Sequence, residues 1–263
     1  MTGTLYLLPV PLGPGDPADE LPPRTVAAVR SVRDFIVENE RSARRVLSRM
    51  LGDKALDESS LAVLDEHTRP ADVPSLLAPL LAGRDAAVVS EAGSPCVADP
   101  GADLVAAAAA AGVRVVPLAG PSSLVLALMA SGLGAQSFAF NGYLPQDPPG
   151  REKALRFLEA RSAREGSTQA FIETPYRNDA MVRSAAAVLA PDTVLCVAAG
   201  LTCPGERILR MRAAEWRKSP MAVGKVPAVF LLSAAVPSPE RSPGRRESER
   251  RRRHGGRHLD QRP

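Results

Sequence analysis

The feature that most narrows what this chain can fold into is a repeating beat over its first 116 residues: short apolar strand, loop, helix. Apolar runs at Thr4–Val10, Asp34–Val37, Leu61–Leu64, Asp85–Ser90 and Val113–Val116 read as five strands. Between them, the spacing predicts helices from Pro22-Pro23 to Val32, over Arg41–Leu51, over Val73–Leu81 and over Asp103–Ala111. The fourth strand carries Ala86-Ala87-Val88-Val89 without a polar break, as a strand covered on both faces requires. Alternation of this kind builds a mostly parallel, helix-covered sheet.

After Pro121 the rhythm changes. A serine-capped helix at Ser122–Met129 precedes strands at Ser137–Tyr143, Gln169–Glu173, Val194–Ala199, Arg207–Met211 and Val226–Leu232. Helices are predicted at Glu152–Ala160, at Asp179–Leu189 and around Trp216. Strands crowded late in the chain suit a mixed sheet, so the expected fold class is two α/β domains, residues 1–118 and 119–236, with a ligand cleft between them.

Three loops rich in Gly and Pro follow apolar strands: 9–17, 90–101 and 117–123. In open α/β sheets ligands bind outside the carboxyl ends of the strands, where such loops converge. Gly lets backbone approach a ligand closely, and Pro fixes a loop shape with less entropy to lose. The combination suits a ligand gripped by main-chain amides and carbonyls.

Charge sorts the chain differently from its totals. The formal net charge is +4, yet residues 237–263 hold nine Arg against four acids, leaving 24 basic and 25 acidic residues in 1–236. The folded region is close to neutral and advertises no polyanion groove. The 237–263 segment has almost no apolar residues to offset its chain entropy and reads as disordered. Its Arg250–Arg253 cluster is either a solvated terminus or a footprint for RNA phosphates.

Other classes fall away on their motifs. The apolar runs are too short for a bilayer span, and Met1–Val10 lacks a basic lead, so neither membrane nor secretion signal is expected. Three cysteines without Cys-x-x-Cys spacing give no disulfide framework, which makes a reducing, cytoplasmic setting the expectation. No Gly-x-x-x-x-Gly-Lys-Ser/Thr occurs, and Gly13-Pro14-Gly15 lacks the later glycine of a dinucleotide fingerprint. The three histidines form no metal-ligand pattern, and Cys96, with no histidine nearby in sequence, reads as a loop-packing residue.

With these residues in view, the chain resembles the tetrapyrrole methylase superfamily. Gly3–Gly13, the Ser90–Gly101 loop and Pro117–Ser123 carry the likeness in order, continued by Glu38–Arg41, Glu173–Arg177 and Gly200–Thr202. The branch it looks most like methylates ribose 2′-hydroxyls of bacterial small-subunit ribosomal RNA. The resemblance implies S-adenosylmethionine as methyl donor, rRNA or the small ribosomal subunit as partner, and a homodimer. Carried over, the donor site takes Pro11 from the first loop, Ala92, Gly93, Ser94 and Val97 from the second, and Ser122 and Ser123 from the third. Thr174 and Gly200 complete it from the second domain. On the acceptor side the resemblance points to Glu38, Arg41, Glu173 and Arg177, each readable also as an inter-domain or dimer salt bridge.

The departures fall on that acceptor side. Val37-Glu38-Asn39-Glu40-Arg41 stands where the branch has Ala-Glu-Asp-Thr-Arg, and Thr174-Pro175-Tyr176-Arg177 where it has Ser-Pro-His-Arg. Ala199-Gly200-Leu201-Thr202-Cys203 replaces Arg-Glu-Leu-Thr-Lys, losing both cations. Two other readings therefore stay open. One is C-methylation of a tetrapyrrole precursor, whose enzymes tend to carry Gly-Asp-Pro where this chain has Gly93-Ser94-Pro95. The other is a donor-binding regulator without catalysis.

Overall fold

The computed structural model describes residues 1–219 and 221–234. The arginine-rich 237–263 segment lies outside the described residues. Strands β1 (Thr4–Leu8), β2 (Asp34–Val37), β3 (Ser60–Val63), β4 (Ala86–Val89) and β5 (Arg114–Pro117) form one sheet in the order β3-β2-β4-β1-β5. Every pairing in it is parallel. The chain leaves β1 toward β2 on one side and leaves β4 toward β5 on the other. The neighbouring carboxyl ends of β1 and β4 are thus a topological switch point, where a crevice opens.

β6 (Phe138–Tyr143), β7 (Thr168–Glu173), β8 (Val194–Ala199), β9 (Arg207–Arg212) and β10 (Ala228–Ser233) form the second sheet, ordered β6-β7-β10-β8-β9. Here β6 and β7 are parallel and the other pairs antiparallel. The two α/β units expected from the changing rhythm are present, the first parallel and the second mixed.

Each sheet buries both faces. In the first, Leu8, Phe35 and Leu47 pack on one side and Leu5, Leu80 and Leu104 on the other. In the second, Phe171 stacks on Phe230 with centroids 5.3 Å apart, over a fully buried Trp216 whose Nε1 donates to Leu195 O at 3.1 Å. The opposite face is covered by the Ser123–Ser131 helix through Ala127 and Leu128. Leu12, from the first loop, also packs into this cluster and so bridges the two units.

Helix ends follow local chemistry. Asn39 caps the Glu40–Leu51 helix by accepting from the amides of Arg41 and Ser42. The helix expected at 152–160 extends from Pro148 to Glu165, because Asp147 caps it at Gly150 N and the two prolines fit the first turn. The single helix expected over Val73–Leu81 is two short turns, Val73–Leu76 and Ala78–Leu81, each with a proline at its start. Among the described residues, no helix is long and apolar enough to cross a membrane.

Candidate active site

The three loops meet at Gly93. Val10 and Gly93 exchange backbone hydrogen bonds, 2.9 Å from Val10 N to Gly93 O and 3.1 Å in return, and Ser90 Oγ donates to the same Gly93 carbonyl at 2.8 Å. Ser94 Oγ reaches the third loop at Pro121 O, 3.1 Å away. Gly93 itself has φ +75°, and a Cβ there would lie 2.8 Å from Leu12 Cδ2 and 3.5 Å from Pro121 O. Only glycine combines that left-handed backbone with that approach.

Loops from the two units are stitched together as well. Glu20 Oε2 accepts from Leu12 N at 3.2 Å and from Thr202 Oγ1 at 3.1 Å. An added Cβ on Gly13 would sit 2.3 Å from Cys203 Sγ, so first loop and second unit run in direct contact.

Between them lies a cleft of about 1100 Å³ counted out to its mouth, with about 260 Å³ open to the centres of water-sized groups. Of the residues singled out from the sequence, Ala92, Ser94, Val97, Ser122, Ser123 and Gly200 line it, as does Glu173. Pro11 is buried beside Leu12, which does line it, and Gly93 holds the loop junction behind. Thr174 turns its hydroxyl and amide to Glu173 Oε1. Glu38 stands one step away, in a small adjoining cavity that shares Asp99 with the main cleft. Arg41 is exposed at the start of its helix and is not among the lining residues of the cleft.

Sequence reading missed Asp99, Tyr143, Phe140 and Cys203, which also line the cleft. Phe140 and Tyr143 read only as strand residues, although Tyr143 is 56% exposed, unusual for an aromatic at a strand end unless something is meant to cover it. Asp99 had a signal in hindsight, an acid inside a Pro- and Gly-rich loop. The loop holding it is strained, with Cys96 at φ 64° and Ala98 at φ 65°, left-handed values that cost on the order of 1 kcal/mol or more each without glycine.

Glu173 has no exposed side-chain surface. Its Oε1 accepts from Arg177 Nε and Nη2 at 2.9 and 2.6 Å and from Thr174 N at 2.7 Å, while its Oε2 has no hydrogen-bond partner among the described residues. Burial, and then Asp99, Glu91, Glu66 and Asp65, push the Glu38 carboxyl up to about 7. Burial and Glu91 push Asp99 up to about 6. Burial and then Asp99, Glu173 and Glu38 raise the Tyr143 hydroxyl, with Arg177 opposing them. Asp99, Tyr143 and Glu173 line the main cleft together, with Glu38 in the small cavity that shares Asp99. The Cys96 thiol is raised by burial and Asp99, which keeps it protonated and suits a packing role. Among the described residues, no group of three or more His, Cys, Asp or Glu could hold a metal ion.

Loops converging at a switch point, capped by a second sheet, define a two-unit α/β protein that takes a small ligand between its halves. Residues 6–216 match the family described as Tetrapyrrole (Corrin/Porphyrin) Methylases. Ribosomal RNA small subunit methyltransferase I of Micromonospora olivasterospora is 37% identical over 215 residues, 81% of this chain and 64% of that protein. The protein of the same name from Xylella fastidiosa is 34% identical, over 79% of this chain and 71% of its own length. This chain therefore spans roughly two thirds of such relatives. Among solved structures, the methyltransferase CobJ superposes with TM-score 0.59 at 21% identity, covering 88% of this chain and 94% of its own. A uroporphyrin-III C-methyltransferase from Thermus thermophilus, complexed with S-adenosylhomocysteine, gives 0.51 at 18% identity, covering 89% and 98%. The chain belongs to the tetrapyrrole methylase family of methyltransferases.

Proposed function

We propose that this chain is an S-adenosylmethionine-dependent methyltransferase acting on a ribose 2′-hydroxyl of small-subunit rRNA. The observation that carries the donor half is the cleft at the β1/β4 switch point, walled by main-chain turns. A ligand with hydroxyl or amine donors and a flat nucleoside part fits such a wall. In this reading Pro11, Ala92, Gly93, Ser94 and Val97 shape one side of the donor site and Ser122, Ser123, Thr174 and Gly200 the other. The names of the relatives at 34–37% identity favour the rRNA acceptor.

When bound, S-adenosylmethionine supplies a methyl group activated on a sulfonium sulfur. The chain's own part is positional: its loops hold donor and acceptor in line, the kind of orientation that lowers a barrier without a covalent enzyme species. In this reading the fixed Arg177–Glu173 pair stands at the acceptor side, and Arg41, exposed at the start of its helix, meets RNA phosphate. Glu38 stands with Asp99 where a hydroxyl proton would leave.

The reading extends to a cytoplasmic homodimer, with the unit boundary at residues 118/119. The Ser123–Ser131 helix is apolar nearly all round, and Val125 and Met129 are 50% and 74% exposed on the side away from its sheet. A second copy of the chain is the occupant proposed for that face. Methyl mapping of rRNA from cells lacking the gene tests the acceptor: loss of one ribose methylation supports the reading, and unchanged rRNA refutes it. Transfer to a porphyrinogen instead would establish the tetrapyrrole alternative, and donor binding without any transfer the regulator.

A further inference from the structure

Ribose methylation needs somewhere for the hydroxyl proton to go, and the cleft narrows the choice. Arg41 and Arg177 are guanidinium groups that cannot accept a proton in a protein. The Glu173 side chain has no exposed surface and is tied through Oε1 to Arg177 and Thr174, so a hydroxyl in the cleft does not reach it. The Tyr143 hydroxyl is held protonated by its anionic neighbours and is a donor. The Cys96 thiol is likewise kept protonated.

Two carboxyls remain. Asp99 lines the main cleft and also the small cavity behind it, whose wall includes Glu38. The Ser90–Gly101 loop spends two left-handed non-glycine residues, Cys96 and Ala98, on the turn that carries Asp99 to this place. Around Glu38 the ionisable groups are Asp99, Glu91, Glu66 and Asp65, from the loops after β3 and β4, and the Tyr143 hydroxyl from β6; around Asp99 they are Glu91, the Cys96 thiol and the same Tyr143 hydroxyl. All are acids. Such a wall repels phosphate and favours a neutral or cationic group, which suits a hydroxyl about to lose a proton beside a sulfonium.

We propose that Asp99 is the catalytic proton acceptor of the methyl transfer, with Glu38 in the cavity behind it as a positioning residue. The inference rests on the methyltransferase reading above. In the step, the acceptor O–H bond breaks and its proton passes to an Asp99 carboxylate oxygen. The hydroxyl oxygen forms its bond to the methyl carbon as the carbon–sulfur bond breaks, and that electron pair stays on sulfur. A methyl ether, a neutral thioether and a carboxylic acid result, and the acid returns its proton to water through the cleft mouth or by way of Glu38.

The test uses the full chain with Asp99→Asn, Asp99→Glu and Glu38→Gln. Single-turnover transfer from labelled donor to unmethylated small subunits is expected to fall at least 100-fold in Asp99→Asn, a loss in the range for removing a general base, and to recover in part in Asp99→Glu. Calorimetric affinity for S-adenosylhomocysteine is expected to stay within threefold in all three. An inflection of the pH–rate profile near 7 is expected in wild type and lost in Glu38→Gln, with the plateau kept within tenfold. Independently of activity, a carbon-13 titration of side-chain carboxyls in the ligand-free protein should show a midpoint near 6 that disappears in Asp99→Asn. An Asp99→Asn rate within threefold of wild type overturns the proposal while leaving the methyltransferase reading intact. A wild type that transfers nothing to rRNA overturns the acceptor reading and the role of Asp99 with it, an outcome distinct from the Asp99→Asn result.

Discussion

Replacing Glu38 by Gln should make this protein more stable at pH 8 and leave it unchanged at pH 4. Burial and four neighbouring acids lift the Glu38 carboxyl from 4.5 to about 7 in the folded chain. Between those values the folded state holds a proton that the unfolded state has released, so stability falls as pH rises through the window. Taken in full, that gap is worth about 3 kcal/mol at 1.36 kcal/mol per pH unit. The carboxyl is only half-buried, and water screens most of its repulsion, which leaves about 1 kcal/mol. Gln keeps the shape and cannot ionise, so the variant escapes the penalty above pH 7 and gains nothing below 4.5. For a fold of this size, about 1 kcal/mol moves the melting temperature by about 2–4 °C. Thermal melts of both proteins at pH 4, 6 and 8 measure it. A variant less stable than wild type at pH 8, or a difference identical at all three values, would show that Glu38 is not held among anions.

Further outcomes follow from packing and pairing. Trp216→Ala removes a fully buried ring and its hydrogen bond to Leu195 O, and should cost about 3–5 kcal/mol in urea unfolding; a loss under 1 kcal/mol would contradict the packing of the second core. Arg177→Met leaves Glu173 buried without its cation and should cost about 3 kcal/mol or more, relieved when Glu173→Gln is added, in a double-mutant cycle of unfolding midpoints. Changing both Val125 and Met129 to Glu should convert a dimer to a monomer in sedimentation at unchanged melting temperature. A dimer that survives the change lies elsewhere on the surface.

Much of the architecture was legible because it is written in short-range signals. The uninterrupted Ala86–Val89 run announced a strand covered on both faces, and all four residues are buried. The Gly- and Pro-rich loops announced turns that converge, and they meet at Gly93, which needs a backbone conformation that other residues resist. The order β3-β2-β4-β1-β5 was not legible, because strand order depends on crossovers that leave no local trace. For the same reason Asp99 went unnoticed: its importance comes from Glu38, 61 positions earlier in the chain, and from Tyr143 in the other sheet. Proline placement explains the divided Val73–Leu81 segment, where Pro79 restarts the second turn.

The central claim is that the turns around Gly93, joined by the second sheet, enclose the methyl donor. Calorimetric titration of S-adenosylhomocysteine into wild type and Gly93→Val tests it most directly. A valine must adopt a φ near +75° and set its Cβ 2.8 Å from Leu12 Cδ2, so the loop junction has to open. Saturable one-site binding to wild type, weakened at least tenfold in the variant, is the predicted result. Heats indistinguishable from dilution at millimolar ligand, or equal affinity in the two proteins, would contradict it.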